Sequence, residues 1–246
     1  MQLENKIALI TGGATGIGGA TAQLFGERGA TVLIADYNEE EGQARANAIR
    51  AAGGTAEFYR TDVRSEESVA ATLAQIGAAH ERLDTLICSA GVLRGANRPT
   101  AELLEKEWDD TIDTNMKGTY LTAKYAAPLL QRAGQSVVLL ISSGAGVRGG
   151  SSSLAYAASK AGMHGMQYNL ERDLSGARLH VICPGGIATP LKLENVADGA
   201  RASGHDPDEA VAKARQSLGD PLGIARVLAF LASPEGDYVR GTVFTR

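Results

Sequence analysis

Tyr156 and Lys160 are four residues apart in the run Tyr156-Ala157-Ala158-Ser159-Lys160, and Ser143 stands thirteen positions before the tyrosine. On a helix, residues i and i+4 share one face. An ammonium beside a phenol favours the phenolate and lowers its pKa. A tyrosine, which ordinarily titrates near about 10, then becomes a usable proton donor and acceptor. A bare Tyr-x-x-x-Lys pair is common on helix surfaces and carries little alone. Ser143 adds a hydroxyl that follows the apolar run Val137 to Ile141 and precedes the small-residue loop Gly144-Ala145-Gly146. That placement lets it hydrogen-bond a substrate oxygen.

A second constellation lies near the N-terminus. The run Thr11-Gly12-Gly13-Ala14-Thr15-Gly16-Ile17-Gly18 follows an apolar segment and opens a helix-like one. Its spacing is G-x-x-x-G-x-G, whereas the general dinucleotide fingerprint is G-x-G-x-x-G. Glycines at such a turn let the backbone approach a pyrophosphate, and the helix N-terminus behind it offers unpaired amides and partial positive charge. Asp36 ends the next strand, eighteen residues after Gly18. That is close to the separation expected for a carboxylate on an adenosine ribose. A carboxylate there accepts from both ribose hydroxyls and repels a 2′-phosphate, which favours NAD over NADP. Tyr37 follows Asp36, and no Arg or Lys stands in the first turn after the strand. Asp62-Val63 ends a third strand, within reach of an adenine edge, although Asp62 serves equally well as a helix cap. Ser89-Ala90-Gly91 ends a fourth, where small residues let a cofactor lie close. Together the two constellations point to hydride transfer between a nicotinamide cofactor and a carbonyl or alcohol. No metal site is expected.

These motifs need a scaffold, and the pattern supplies one. Strands are predicted at Lys6–Thr11, Thr31–Asp36, Thr55–Thr61, Leu83–Cys88, Ser136–Ser142, Arg178–Cys183 and Gly241–Phe244. Helices are predicted at Gly16–Arg28, Glu39–Ala52, Ser65–His80, Leu154–Leu174 and Pro221–Leu231. A long helical stretch from about Thr100 to Gln131 is predicted to break near Asp109, and Pro190–Gln216 reads as polar and helical with two internal glycines. Strands alternating with helices imply βαβ units and a parallel sheet covered on both faces. The fold class expected is α/β: a Rossmann-like, doubly wound, seven-stranded parallel sheet flanked by helices. No repeat or linker divides residues 1–246, so a single domain is expected. In such sheets ligands bind beyond the carboxyl ends of the strands, where the motifs above fall.

Composition narrows the function classes. Of 246 residues, 44% are hydrophobic and 21% charged, and the net charge is −4. That is ordinary for a soluble globular protein, and it calls for neither nucleic acid nor a charged membrane surface. No basic-then-apolar leader and no uninterrupted membrane-length apolar stretch is present, so a cytoplasmic location is expected. The two cysteines, Cys88 and Cys183, end apolar strands and read as free buried thiols.

With the glycine turn, Asp36, Asp62, Ala90-Gly91, Asn115, Ser143, Tyr156, Lys160 and the run Pro184-Gly185-Gly186-Ile187-Ala188-Thr189 in this order, the chain resembles a short-chain dehydrogenase/reductase of the single-domain type. The resemblance covers nearly the whole sequence. It implies that Tyr156 exchanges the proton with the substrate oxygen, Ser143 orients that oxygen, and Lys160 binds the nicotinamide ribose and keeps the tyrosine acidic. It implies a proton-relay water on Asn115, and a carboxamide anchor at Thr189 and the backbone of Ile187 within the Pro184-Gly185 segment. Thr15, Gly16 and Ile17 fall within its cofactor turn. A homodimer or homotetramer is implied as well, paired through the helices around Thr111 to Leu130 and Leu154 to Leu174. Four departures stand out. The usual Asn-Asn-Ala-Gly is here Cys88-Ser89-Ala90-Gly91, weakening a brace between strands. His180 replaces a usual asparagine and reads as structural. The turn Ser175-Gly176-Ala177 is short, and the sequence ends at Arg246, where relatives often continue through Asp-Gly-Gly.

Three segments are expected around the substrate: Leu93 to Pro99, Gly144 to Leu154, and a lid at Pro190 to Gln216 whose Gly199 and Gly204 allow movement. Arg94, Arg98 and Arg148 either greet an anionic substrate or are solvated loop cations. Trp108 is expected to pack within the long helix. The sequence is read as an NAD-dependent dehydrogenase of a secondary alcohol, cyclic or sugar-like. The alternative is a 3-oxoacyl-thioester reductase that uses NADPH.

Overall fold

The computed structural model describes residues 2–246. Seven strands, β1 (Ile7–Thr11), β2 (Thr31–Asp36), β3 (Thr55–Arg60), β4 (Thr85–Cys88), β5 (Ser136–Ile141), β6 (Ala177–Cys183) and β7 (Gly241–Phe244), form one sheet in the order β3-β2-β1-β4-β5-β6-β7. Every neighbouring pair is parallel. The order of the strands reverses between β1 and β4, so the crevice of a doubly wound sheet opens there.

Alternation along the strands explains the two covered faces. Ala8, Ile10, Val32, Ile34, Leu139 and Ile182 turn toward α1 (Gly16–Glu27), α2 (Glu39–Ala51) and α10 (Pro221–Ala232). Leu9, Leu33, Leu86, Val138, Leu140 and Val181 turn toward α3 (Glu66–Ala79), α5 (Gly118–Arg132) and α7 (Leu154–Asp173). Successive side chains of a strand point to opposite faces, so strands apolar at both parities need helices on both sides. Among the described residues no helix is long and apolar enough to cross a membrane.

The region expected to break near Asp109 is organised differently. A 3₁₀ turn (Thr100–Glu102) leads to α4 (Glu105–Ile112), a π-helical turn (Asp113–Lys117) and then α5 without interruption. The widened turn carries Asn115, which is fully buried. Its Oδ1 accepts from the Val92 amide at 2.8 Å, and its Nδ2 donates to the Val92 carbonyl at 3.0 Å and the Ser159 hydroxyl at 2.9 Å. One side chain thus clamps the segment after β4 to α7, a π-turn at a functional junction. Trp108 does not pack as expected: it is 36% exposed. Thr111 is the buried residue of α4, and the tryptophan lies on another face.

The expected lid is two helices, α8 (Pro190–Ala202) and α9 (Pro207–Arg215). Each begins with proline, as α10 does, behind a capping side chain from Thr189, Asp206 or Asp220. Proline suits that first position because its missing N–H would be unpaired there anyway. Gly199 lies inside α8, and Gly204 is in the turn between the two helices. A four-residue helix, α6 (Ala145–Arg148), was not anticipated.

His180 is fully buried, and neither ring nitrogen has a hydrogen-bond partner among the described residues. Burial holds its pKa below the ordinary value, with the charge of Arg178 adding to the effect. Such a base binds more protons in the unfolded chain than in the folded one between its two pKa values, so stability falls as pH drops below about 6.5. His180→Val should flatten part of that slope, measured as urea midpoints from pH 7.5 to 5. An unchanged slope would place its origin elsewhere. Asn115→Ala should leave the Val92 amide and carbonyl without this partner and cost about 1–3 kcal/mol. That would be read as a Tm lower by roughly 2–12 °C.

Candidate active site

Gly12 leaves β1 at φ +66°, and a Cβ there would lie 2.7 Å from the Ala90 backbone. A Cβ on Gly18 would lie 2.1 Å from the Gly12 carbonyl oxygen. The turn can therefore close on itself, and against the segment after β4, only with glycine at both places. Thr15 caps α1 without a side-chain hydrogen bond, and the first turn holds no acid. The first amides of a helix have no intrahelical partner. With Thr15, Gly16 and Ile17 lining the adjoining cleft, they form a cradle for an anion such as a diphosphate.

Asp36 stands beside this turn. One carboxylate oxygen accepts from the Ala14 amide and the other from the Asn38 amide, each at 3.0 Å. The carboxylate is therefore oriented by the same loop that forms the cradle. Asp62 is bound by Arg64, whose guanidinium reaches it at 2.8–3.3 Å. The Arg64 side chain holds the Asp62 carboxyl below the usual range. Arg60 and Arg64 lie 5.7 and 5.8 Å from the ring centroid of exposed Tyr37. No basic residue follows β2 closely in sequence, yet the end of β3 brings two to that place.

At the other end of the cleft, Ser153 caps α7. Its hydroxyl accepts from the Tyr156 amide at 3.2 Å and donates to the Arg94 carbonyl at 2.6 Å. Lys160 is buried, its Nζ donates to the Ile141 carbonyl at 2.8 Å, and the Ser142 hydroxyl donates to the Lys160 carbonyl at 2.8 Å. The Lys160 ammonium lies 5.6 Å from the centroid of the Tyr156 ring. Burial lowers the Lys160 pKa to about 8. Burial also raises the Tyr156 pKa, which the Ser143 hydroxyl partly offsets. The ammonium bonds a carbonyl and lies over the phenol ring.

The cleft between these ends has a volume of about 560 Å³, within the range usual for small-ligand sites. Gly12, Thr15, Gly16, Ile17, Asp36 and Asp62 line one end. Val63, Ser89, Ala90 and Gly91 line it as well, as do Tyr156, Lys160, Pro184 and Thr189, the last beside Gly16. Gly18, Asn115, Ser143, Gly185 and Ile187 are not on the wall. Gly18 packs under the turn, and the Ser143 hydroxyl accepts from the Ala145 amide at 3.2 Å. The Gly185 amide donates to the Arg246 carbonyl at 2.8 Å, and the Ile187 carbonyl accepts from Thr189 at 2.8 Å. Tyr37, Arg64, Thr114 and Ser142 also line the cleft. Tyr37, Thr114 and Ser142 adjoin predicted site residues and Arg64 follows Asp62 by two, which was their only signal in the sequence. Of the three candidate arginines, Arg98 pairs with Glu107 at 3.0 Å, and Arg148 lies 4.2 Å over the Phe244 ring. Only Arg94 lines the cleft.

Comparison with known proteins agrees with this architecture. The chain is 36% identical to tropinone reductase-like 2 of Erythroxylum coca, over 98% of this chain and 88% of that protein. It is 32% identical to the 3-oxoacyl-acyl-carrier-protein reductase of Thermotoga maritima, over 99% and 96%. The crystal structure of a variant actinorhodin polyketide ketoreductase with NADPH superimposes with a TM-score of 0.90 at 26% identity, covering 100% of this chain and 97% of that one. The family model described as short chain dehydrogenase matches residues 6–199. The chain belongs to the short-chain dehydrogenase family, a family of oxidoreductases with a Rossmann-like fold.

Proposed function

We propose that this protein is an NAD-dependent oxidoreductase that interconverts a secondary alcohol and a ketone, with residues 1–246 acting as one domain. The observation that supports it most is one cleft with the Asp36 carboxylate at one end and Tyr156 and Lys160 at the other. A bound nicotinamide supplies or accepts the hydride. The Gly12–Gly18 turn and the α1 amides hold the diphosphate, and Asp36 accepts from the adenosine ribose. Asp62 and Val63 border the adenine, and Ser89, Ala90 and Gly91 permit close approach. Pro184, Gly185, Ile187 and Thr189 hold the carboxamide. In oxidation the Tyr156 oxygen takes the proton of the substrate hydroxyl; in reduction it returns it. Ser143 donates a hydrogen bond that orients the substrate oxygen. Lys160 holds the nicotinamide ribose and passes the proton on through a water at Asn115. The first turn of α8 borders the cleft at Pro190 and Leu191, and α8 and α9 serve as the lid. Exposed Tyr120 on α5 and Tyr168 on α7, 49% and 74% accessible, suit those helices to pairing between subunits of a homodimer or homotetramer. The thiols of Cys88 and Cys183 are free and buried, consistent with a reducing cytoplasm.

A second reading, an NADPH-dependent 3-oxoacyl-thioester reductase, is favoured by Arg60 and Arg64 flanking Tyr37. These cations would accept a 2′-phosphate if released from Glu39 and Asp62, their partners at 3.8 and 2.8 Å. The two readings separate in a fluorescence titration with NADH and NADPH, followed by a panel of secondary alcohols. Tighter NADH binding is expected, with Asp36→Ala narrowing the difference; tighter NADPH binding moves the assignment to the reductase. Tyr156→Phe should lower turnover by about a hundredfold to ten-thousandfold while NADH still binds as tightly. Persistent turnover would remove the tyrosine from the proton transfer.

A further inference from the structure

We propose that Arg94 recognises a carboxylate on the substrate, so that the preferred substrates are anionic secondary alcohols or ketones. This rests on the reading of the cleft as a dehydrogenase site. The charged residues that line the cleft are unevenly placed. Asp36 ends β2 and Asp62 and Arg64 follow β3, whereas Lys160 is on α7 and the backbone of Arg94, an exposed residue, is bonded to Ser153 at the start of that helix. Lys160 is occupied by the Ile141 carbonyl. The guanidinium of Arg94 makes no hydrogen bond or ion pair among the described residues. Asp110 is the acid whose charge it influences, and that acid is held by Lys106 at 2.7 Å.

The backbone of Arg94 is also tied to the reacting group. The Ser153 hydroxyl bonds the Arg94 carbonyl at 2.6 Å and the Tyr156 amide at 3.2 Å, so one hydroxyl links the arginine to the proposed proton donor. The next residue, Gly95, turns at φ +63°, where a Cβ would lie 2.2 Å from Leu103. The amide of Asn97 then donates to the Ser152 carbonyl at 2.7 Å, and Ser152 and Asn195 of α8 bond each other at 3.1 Å. The backbone of this segment is therefore fixed beside the start of α7, and the Arg94 side chain extends from it. A guanidinium offers a planar pair of donors that matches a carboxylate. The diphosphate has its own cradle of amides at the other end, which leaves this cation for the substrate.

The test uses a matched pair, 4-oxocyclohexanecarboxylate and its methyl ester, with the preferred reduced cofactor. The wild type should favour the acid by at least about tenfold in kcat/KM, equivalent to 1.4 kcal/mol. Arg94→Leu should reduce that advantage to within about twofold, and Arg94→Lys should keep part of it. A wild type indifferent to the charge, an equal loss on acid and ester, or weaker NADH binding in Arg94→Leu would overturn the proposal. A second readout is independent of turnover: calorimetric titration of unreactive cyclohexanecarboxylate onto the protein–NADH complex. Binding lost in Arg94→Leu supports the assignment even if neither ketone reacts, a result that would instead count against the proposed reaction. Binding unaffected by the substitution overturns it.

Discussion

Two hydrogen bonds between the end of β5 and a single residue of α7 determine where Tyr156 and Lys160 stand. The Ile141 carbonyl accepts from Lys160 Nζ, and the Ser142 hydroxyl donates to the Lys160 carbonyl, each at 2.8 Å. A buried ammonium is costly unless it is hydrogen-bonded. The strand end thus needs the lysine as much as the lysine needs the strand. Because Tyr156 precedes Lys160 by one helical turn, the same contact sets the phenol. Asn115 extends the brace through Ser159 and Val92, and Ser153 extends it through Tyr156 and Arg94.

His164, one turn after Lys160, makes a comparable junction on the same face of α7. Its Nε2 lies 3.4 Å from the Ser142 hydroxyl and 3.6 Å from Cys183 Sγ, and its Nδ1 lies 3.3 Å from the Thr242 hydroxyl. Since the Ser142 proton is directed at Lys160, its oxygen is left to accept from Nε2–H, and Nδ1 then accepts from Thr242. Burial keeps this imidazole below its ordinary pKa, so the neutral ring is the form that joins the ends of β5, β6 and β7. The edge strand is thereby connected to the residue beside Ser143.

Electrostatics divide the cleft. Around the end of β3 each cation has a carboxylate: Arg64 with Asp62, and Arg60 with Glu39. Asp36 is held by two amides, and its residue lines the cleft. Lys160 and Arg94 line the cleft too, and the Tyr156 phenol sits in a desolvating environment that raises its pKa.

Periodicity and turn chemistry were enough to locate nearly all the strands and helices within a residue or two. Apolar strands of β-branched and leucine residues, broken by glycines and capped helices, have few other ways to fold. The glycine turn, Asp36 and the Tyr156–Lys160 pair were legible because their chemistry depends on short-range spacing. The tertiary structure alone decided the rest. The π-turn at Asn115 depends on partners 23 and 44 residues away. The exposure of Trp108 depends on which face of α4 packs. The approach of Arg60 and Arg64 to Tyr37 follows from the pairing of β2 with β3. The balance of burial against charge at Tyr156 depends on solvent access. These are contacts and desolvation between segments distant in the chain, and no local pattern of residue types encodes them.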